Sequence, residues 1–311
     1  MKIAIIGRTE MLYNTAELLW EAGYEIPLII TAKETPEYKK SSEDFRKLAE
    51  KYGAHFILTP SLEKEEVIQV IKNISDLQLA VSINFTGVIS KFMIDLFPLG
   101  ILNAHGGDLP KYRGNACQAW AMINKEDRIG LCIHKMIGGE LDSGKIIARN
   151  FISIDVNTRI KQVYDWVDNV VGGLFLEACQ QLQKDEDFCI EIQSEDQKDA
   201  LRCYPRTPED GEIDFKADSE SILRLINASS EPYSGAFCKL NNERLIIWRA
   251  RLSGDLEKWV GIPGQVSKIN LDDNSIIVLC GNGKLILDEV EFKGERIKPT
   301  QLIKSFRTRL T

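Results

Sequence analysis

The stretch KIAIIGRTEMLYNTAELLWEAGYEIPLIIT, residues 2–31, carries the clearest structural signal in this chain of 311 residues. Lys2–Ile6 and Tyr24–Thr31 are rich in β-branched and other apolar residues, which predicts two buried strands. Between them, Glu10–Gly23 has apolar side chains at helical spacing and ends at a glycine, which predicts a helix. A strand, a helix and a second strand in this order are typical of a parallel sheet covered by helices.

The same alternation continues along the first half of the chain. Helical spacing recurs at 42–53 and 63–74, and short strand-like runs recur at 56–59, 79–84 and 101–105. We therefore predict an α/β fold, with a Rossmann-like and mostly parallel sheet in a first domain of residues 1–200. Ligands of such sheets bind at the carboxyl ends of the strands, so the residues that end each strand are candidates for function.

The second half of the chain has a different pattern of predicted elements. A long helix is predicted at 158–183, and the polar stretch Gln193–Arg202 is expected to be a linker. Beyond a helix at 219–228, short strands separated by turn residues are predicted at 245–248, 264–269, 275–279 and 284–290. We expect residues 201–311 to form a smaller C-terminal β-barrel domain of the OB-like kind.

The composition is that of an ordinary globular protein, with 44% hydrophobic and 27% charged residues. No apolar run reaches the roughly 20 residues that span a bilayer, and the N-terminus resembles a strand more than a signal peptide. Seven cysteines without a CxxC pair favour a reducing cytoplasm, and a net charge of −7 disfavours a general nucleic-acid binder. We expect a soluble cytoplasmic protein without membrane or nucleic-acid partners.

Two classes of site are disfavoured. A dinucleotide site needs several glycines after the first strand, and Gly7 stands there alone, so it is interpreted as a tight turn. With three histidines and no acidic or thiol partners at ligand spacing, a metal site is not expected.

The residues whose side chains could take part in catalysis lie in LNAHGGDLPKYRGNACQAW, residues 102–120, and in the later turn Leu141–Gly144. Asn103 and His105 are two apart at the end of a predicted strand, so they face the same side of the sheet. An amide can donate to an oxygen that gains negative charge, an imidazole can accept a proton, and Asp142 can stabilise the imidazolium. These are the parts that acyl transfer to an amine needs. Purely structural roles for the three residues remain an alternative at this point.

At these residues the sequence resembles the formyltransferases that use 10-formyltetrahydrofolate. Their Asn-x-His strand end, Ser-Leu-Leu-Pro-x-(Tyr/Trp)-Arg-Gly loop and Asp-x-Gly turn correspond to 103–105, to Gly107–Gly114 and to 142–144. The resemblance resumes in PRTPEDGEIDF and NASSEPYSGAF, near the start of the β-rich domain. It is strongest to the sugar-nucleotide N-formyltransferases, such as the 4-amino-4-deoxyarabinose enzyme of lipid A modification.

The resemblance implies a role for each site residue. His105 is then the general base on the substrate amine, Asn103 stabilises the oxyanion, and Asp142 raises the pKa of His105. The folate cosubstrate is expected along Gly87, Val88, Ile89, Asn115, Ile137, Gly138, Gly139 and Leu141. The acceptor sugar or its diphosphate is expected near Lys111, Tyr112 and Arg113. For Arg113, the alternative role is to brace the loop.

The sequence departs from the family pattern at Gly107-Asp108, where the family usually has Ser-Leu. We expect the Asp108 carboxylate to lie beside the acceptor pocket. There it would hydrogen-bond a sugar hydroxyl or the amine, or repel a substrate phosphate.

The expected acceptor is a nucleotide-linked deoxy-aminosugar, carried by dTDP or UDP and destined for a surface glycan such as the O-antigen of lipopolysaccharide. The alternative is methionyl-tRNA, which needs a basic surface. The family's basic loop corresponds to 33–47, which has five basic residues (Lys33, Lys39, Lys40, Arg46, Lys47) against four acidic ones (Glu34, Glu37, Glu43, Asp44). A formyltetrahydrofolate hydrolase and a catalytically silent binding module are further alternatives. A homodimer is the common oligomer in such proteins.

Overall fold

The computed structural model describes residues 1–35, 38–196, 198–255 and 257–311. Glu37, which entered the charge comparison above, lies outside the described residues. Backbone contacts divide the chain into two compact units, and neither is continuous in sequence. The first consists of 1–114, 130–151 and 166–202, and the second of 115–129, 152–165 and 203–311. The predicted boundary at residue 200 stays a prediction.

The predicted strands and helices occur in the predicted order, together with further elements that the sequence analysis did not predict. The strands are β1 (Lys2–Gly7), β2 (Glu25–Thr31), β3 (His55–Leu58), β4 (Leu77–Ile83), β5 (Ile101–His105), β6 (Arg113–Gly114), β7 (Arg128–Lys135), β8 (Ile146–Ser153), β9 (Arg202–Cys203), β10 (Ala236–Leu240), β11 (Glu243–Leu252), β12 (Val266–Asn270), β13 (Ser275–Leu279), β14 (Lys284–Phe292) and β15 (Glu295–Ile297). The helices are α1 (Glu10–Glu21), α2 (Ser42–Tyr52), α3 (Glu65–Asn73), α4 (Lys91–Ile94), α5 (Cys117–Ile123), α6 (Ile160–Lys184), α7 (Ser219–Ala228) and α8 (Pro299–Leu302), with a 3₁₀ turn at Pro208–Gly211.

One sheet of the described chain has seven strands, in the order β3-β2-β1-β4-β5-β7-β8. The pairs from β3 to β5 are parallel, and β7 runs antiparallel to β5. This confirms the predicted mostly parallel sheet. At the end of β1, Gly7 has φ 134°, and a Cβ there would lie 1.9 Å from the carbonyl oxygen of Ile83. The lone glycine is therefore explained by a close approach of backbone to backbone.

Both faces of this sheet are covered by helices. Successive residues of a strand point to opposite faces, so alternate residues of β1 belong to different cores. Ile3 and Ile5 of β1 belong to a core cluster that contains side chains of α1, α2 and α6. Ala4 and Ile6 belong to a second cluster that contains side chains of α3 and α4.

The second unit contains a separate sheet, in which six strands are found among the described residues, in the order β10-β11-β14-β13-β12, with β15 beside β14. These neighbouring strands pair in antiparallel fashion, and the buried side chains of the sheet form a core of their own with α7. This agrees with the predicted barrel-like C-terminal domain.

The interpretation of Gln193–Arg202 as a linker is wrong at its first residue. The Gln193 side chain is 5% exposed and donates to two carbonyl oxygens, so the chain here is fastened to the first unit. A polar composition suggested solvent exposure, whereas buried hydrogen bonds satisfy the amide. Across the described ranges, no helix is both long and apolar enough to cross a membrane.

Candidate active site

Asn103 and His105 lie at the carboxyl end of β5, where the sheet changes from parallel to antiparallel pairing. His105 is 7% exposed and Asn103 is half-buried. Their separation by two residues places both side chains on one side of the strand, as the sequence predicted. The imidazole therefore lies in a largely desolvated position at the edge where ligands of such sheets bind.

Asp142 comes to the same place from the turn between β7 and β8. Its Oδ2 lies 3.4 Å from Nδ1 of His105 and accepts a hydrogen bond from the backbone amide of Gly114 at 2.9 Å. Asp142 has φ 50°, a left-handed conformation that Asp and Asn tolerate better than most residues. The structure thus brings together the imidazole and the carboxylate that the sequence singled out.

His134 is a fourth member of this cluster, and the sequence analysis did not single it out. It pairs with Asn103 across β5 and β7, and its Nε2 lies 3.4 Å from the Asn103 amide nitrogen and 3.5 Å from Oδ1 of Asp142. Its Nδ1 donates to the carbonyl of Lys135 at 3.1 Å. The neutral ring therefore accepts from Asn103, and the protonated ring can donate to Asp142. The register of an antiparallel pair creates this contact, and no local sequence pattern signals it.

Burial and the surrounding charges shift the pKa of His105, and that of Asp142, in opposite directions. Burial lowers the pKa of His105 below its usual value, and the Asp142 carboxylate and the Tyr112 carbonyl oppose this effect. The Asp142 charge acts in the direction that the resemblance implies, whereas the net pKa of His105 is lowered because desolvation is the larger effect. Burial also disfavours ionisation of Asp142, but contacts with His134, the charge of His105 and the Gly114 amide lower its pKa to about 2.

A second contact occupies the other nitrogen of His105. Nε2 lies 2.6 Å from the carbonyl oxygen of Tyr112, a buried residue with φ 57°. A Cβ at Gly107 would lie 2.3 Å from that oxygen and 2.8 Å from Nε2. The glycine at the position where the family usually has serine is what allows this loop to close on the imidazole.

The remaining residues of the loop have distinct surroundings. Asp108 lies 3.8 Å from the guanidinium of Arg149, which also donates to the Leu109 carbonyl at 2.8 Å. The Asp108 carboxylate is thus close to a cation of the protein itself. Lys111 is exposed, and Arg113 donates to the side-chain oxygen of Gln193 at 2.7 Å.

All but one of the residues predicted to hold the folate fall on two segments of the first unit, 87–89 and 137–141. Val88 is 88% exposed and Ile137 is 43% exposed, whereas Ile89 packs in the core. A Cβ at Gly138 would lie 2.4 Å from the backbone of Lys91, so this glycine is needed for packing between the loops. Exposed apolar side chains on adjoining loops fit a flat aromatic ring, which buries such surface on binding.

The other predicted folate residues are partly separated from these. Gly139 has φ 82°, a Cβ at this position would meet no described atom within 4 Å, and Leu141 is 37% exposed. Gly87 lies in the bend after β4, where a Cβ would be 3.3 Å from the carbonyl of Pro60. Asn115 belongs to the second unit, where its amide donates to the Cys203 carbonyl.

An imidazole and an amide at the carboxyl end of a parallel strand thus meet a carboxylate from a neighbouring turn, on a fold with an α/β domain and an antiparallel β domain. The chain belongs to the formyl transferase family: the family's N-terminal model, "Formyl transferase", matches residues 1–178, and "Formyl transferase, C-terminal domain" matches residues 206–307. It is a formyl-transferring enzyme.

Individual relatives differ in the acceptor that their names give. The chain is 26% identical over 304 residues to a methionyl-tRNA formyltransferase of Citrifermentans bemidjiense, covering 96% of this chain and 91% of that protein. Its fold is similar to that of WlaRD, a sugar 3N-formyl transferase solved in the presence of dTDP and 5-N-formyl-THF, with TM-score 0.69, 20% identity and coverage of 93% and 97%. It is also similar to HypX from Aquifex aeolicus, with TM-score 0.61 and 17% identity, and the chain spans 49% of the length of that protein.

Proposed function

We propose that this enzyme moves the formyl group of 10-formyltetrahydrofolate to the amine of a nucleotide-linked deoxy-aminosugar. The observation that carries the chemical part is the contact of His105 with Asp142, 3.4 Å apart beside the amide of Asn103. A structure of a family member of similar fold was solved with a formylated folate, which supports the donor.

In the proposed reaction, His105 takes the proton of the acceptor amine while the amine nitrogen bonds to the formyl carbon. Asn103 donates to the formyl oxygen as negative charge develops on it. Asp142 stabilises the imidazolium that forms. When the bond to the folate nitrogen breaks, His105 returns the proton to that nitrogen, so the base is restored. Exposed Val88 and Ile137 are the apolar surface we assign to the folate ring.

The choice of a sugar rests on charge. In the segment expected to clamp tRNA, Arg46 pairs with Glu43 at 3.2 Å and Lys39 with Glu10 at 3.6 Å. Glu34 and Asp44 accept hydrogen bonds from the backbone at the start of α2. A surface that binds a nucleic-acid backbone needs cations in excess, and here cations and carboxylates are interspersed.

Methionyl-tRNA is the second candidate acceptor. The observation in its favour is that the methionyl-tRNA formyltransferase of Citrifermentans bemidjiense aligns with 96% of this chain, thus with both domains.

One assay separates these functions. The protein is incubated with 10-formyltetrahydrofolate and a panel of dTDP-, UDP- and GDP-linked 3- and 4-aminosugars, with methionyl-tRNA in parallel, and products are read by mass spectrometry. We expect one sugar to gain a formyl group, and the His105→Ala variant to lose roughly 10²–10⁴-fold in rate. Product on the tRNA alone contradicts the sugar proposal. Loss of formyl from the folate without any amine indicates a hydrolase.

A further inference from the structure

A cavity of about 400 Å³ lies in the first unit beside the turn that carries Asp142. It is lined by Arg113, Glu140, Leu141, Ser143, Ala200 and Arg202. Two guanidinium groups against one carboxylate give this lining a positive balance. The volume is at the small end of the roughly 300–1,000 Å³ of ligand sites, so it suits one part of a nucleotide sugar.

Arg113 is held in place by a buried amide. Its Nη2 donates to Oε1 of Gln193 at 2.7 Å, and Nε2 of Gln193 donates to the carbonyls of Asp142 and Gly144 at 2.8 and 2.7 Å. Gln193 thus ties the guanidinium to the turn that carries the candidate carboxylate. The Nε of Arg113 is buried and has no acceptor among the residues that the structure describes, so the group retains donors beyond the one that Gln193 uses.

Backbone pairing brings the second arginine to the same cavity. The amide of Arg113 donates to the carbonyl of Leu201 at 2.8 Å, which places Arg202 next to the Arg113 strand. Across the lining, the Glu140 carboxylate accepts from the Ser143 hydroxyl at 2.5 Å. Its charge is therefore partly compensated within its own turn.

We infer that this cavity binds a phosphate group of the acceptor, with Arg113 and Arg202 as its cations and Gln193 as the residue that positions Arg113. Guanidinium groups present N–H donors in a planar fork that matches phosphate oxygens. The identity of the phosphate as part of a nucleotide sugar rests on the proposed function; a phosphodiester of tRNA has the same chemistry.

The position of the cavity explains how such binding serves the reaction. Ser143 follows Asp142 directly, and Gly114, which follows Arg113, donates to the Asp142 carboxylate at 2.9 Å. An acceptor anchored at the cavity is therefore held beside the His105–Asp142 pair. Because this anchor is equally strong before and during the chemical step, its loss raises KM and changes kcat little.

The test compares Arg202→Gln with wild type and with Arg251→Gln, a matched charge change on β11, where the exposed Arg251 pairs with Asp273. Arg202 is exposed, so its replacement leaves the core intact. Binding of inorganic diphosphate, dTDP, UDP and GDP is measured by calorimetry without formyl donor, and KM and kcat are measured with the accepted substrate. We expect Arg202→Gln to weaken binding and raise KM about 10-fold or more, with kcat within about twofold, and Arg251→Gln to leave binding, KM and kcat unchanged.

Gln193→Leu tests the positioning role, because it leaves Arg113 in the chain and removes the acceptor that holds its guanidinium. The variant also removes the donor to the Asp142 and Gly144 carbonyls, so the readout is the comparison of KM for the two substrates. We expect a raised KM for the acceptor and an unchanged KM for the formyl donor. An equal rise of KM for both substrates would show a structural role of Gln193 and overturn this assignment.

The possible outcomes test the phosphate subsite and the identity of the acceptor independently. Formylation of a sugar with an unchanged KM in Arg202→Gln overturns the subsite and leaves the proposed function standing. Formylation of methionyl-tRNA alone, with KM for the tRNA raised by Arg202→Gln, supports the subsite and overturns the sugar. If the wild-type protein binds none of the diphosphates and Arg202→Gln has the same KM as wild type, the subsite is overturned whatever the acceptor.

Discussion

Nε2 of His105 lies 2.6 Å from the carbonyl oxygen of Tyr112, and this contact occupies the nitrogen that a base would use. A carbonyl oxygen only accepts, so Nε2 carries a proton in this arrangement. Nδ1 faces Asp142 at 3.4 Å, so both ring nitrogens lie beside acceptors. An amine that gives its proton to His105 must therefore replace the Tyr112 carbonyl.

Replacing Gly107 with serine, the usual residue of the family, should open this contact. A Cβ there would lie 2.3 Å from the Tyr112 oxygen and 2.8 Å from Nε2, so the loop must shift. Loss of an acceptor that favours the imidazolium lowers the pKa of His105 further. We expect the acidic limb of kcat/KM to move to lower pH by roughly 0.5–1 unit. Gly173→Ala, where a Cβ would meet no described atom within 4 Å, is the control. An unmoved limb in Gly107→Ser would show that the contact is broken in the working enzyme.

Asp142→Asn should move the same limb in the same direction and also slow the reaction. The Asp142 charge raises the pKa of His105, so its removal lets burial lower that pKa further, and the limb shifts to lower pH. The imidazolium formed in the reaction loses its counter-charge, so kcat should fall by about tenfold or more. Asparagine tolerates the φ of 50° at this position, so the turn is retained. A pH profile identical to wild type would remove Asp142 from this role.

Replacement of His134 should reduce kcat through Asn103. Its Nε2 lies 3.4 Å from the Asn103 amide nitrogen and helps fix the direction of that amide. We expect His134→Leu to lower kcat about tenfold without changing the KM of the formyl donor, because an oxyanion donor acts in the transition state. His134→Gln supplies an acceptor and should recover part of the rate. Equal losses in both variants would indicate a packing role for the ring.

Gln193→Leu should also destabilise the first unit. It leaves the carbonyls of Asp142 and Gly144 without their buried donor, and leaves Arg113 without its acceptor. Each buried group without a partner is unfavourable, so we expect the free energy of unfolding to fall by about 2–4 kcal/mol in urea titrations. The control is Gln69→Leu on the exposed face of α3, for which a change within about 0.5 kcal/mol is expected. A similar small change at Gln193 would contradict the importance of its hydrogen bonds.

Much of the fold was accessible from the sequence because it depends on local periodicity. β5, β13 and α7 lie at the predicted residues, and α2 ends at Tyr52, where Gly53 with φ 65° caps it. The helix predicted at 63–74 is shorter in the structure, where α3 covers only Glu65–Asn73. The backbone groups at helix ends lack intrahelical hydrogen-bond partners, so periodicity defines the ends less well than the middle. β7 and β8 were not predicted, although turn residues lie between them at 138–139 and 142–144. The strand–helix alternation that identified the other strands of this sheet does not extend to this antiparallel part.

The sequence by itself determined that Asn103 and His105 share one side of a strand, because strand periodicity is local, and its motifs indicated Asp142 as their partner. Tertiary structure alone decided the contacts of His134, Tyr112 and Gln193. Each of these depends on pairing or loop closure between segments that lie 7 to 80 residues apart in the chain. Such contacts are selected by the register of β5 with β7, by the space left at Gly107 and by the need to satisfy a buried amide. These are properties of the packed chain, and no local pattern of residues encodes them.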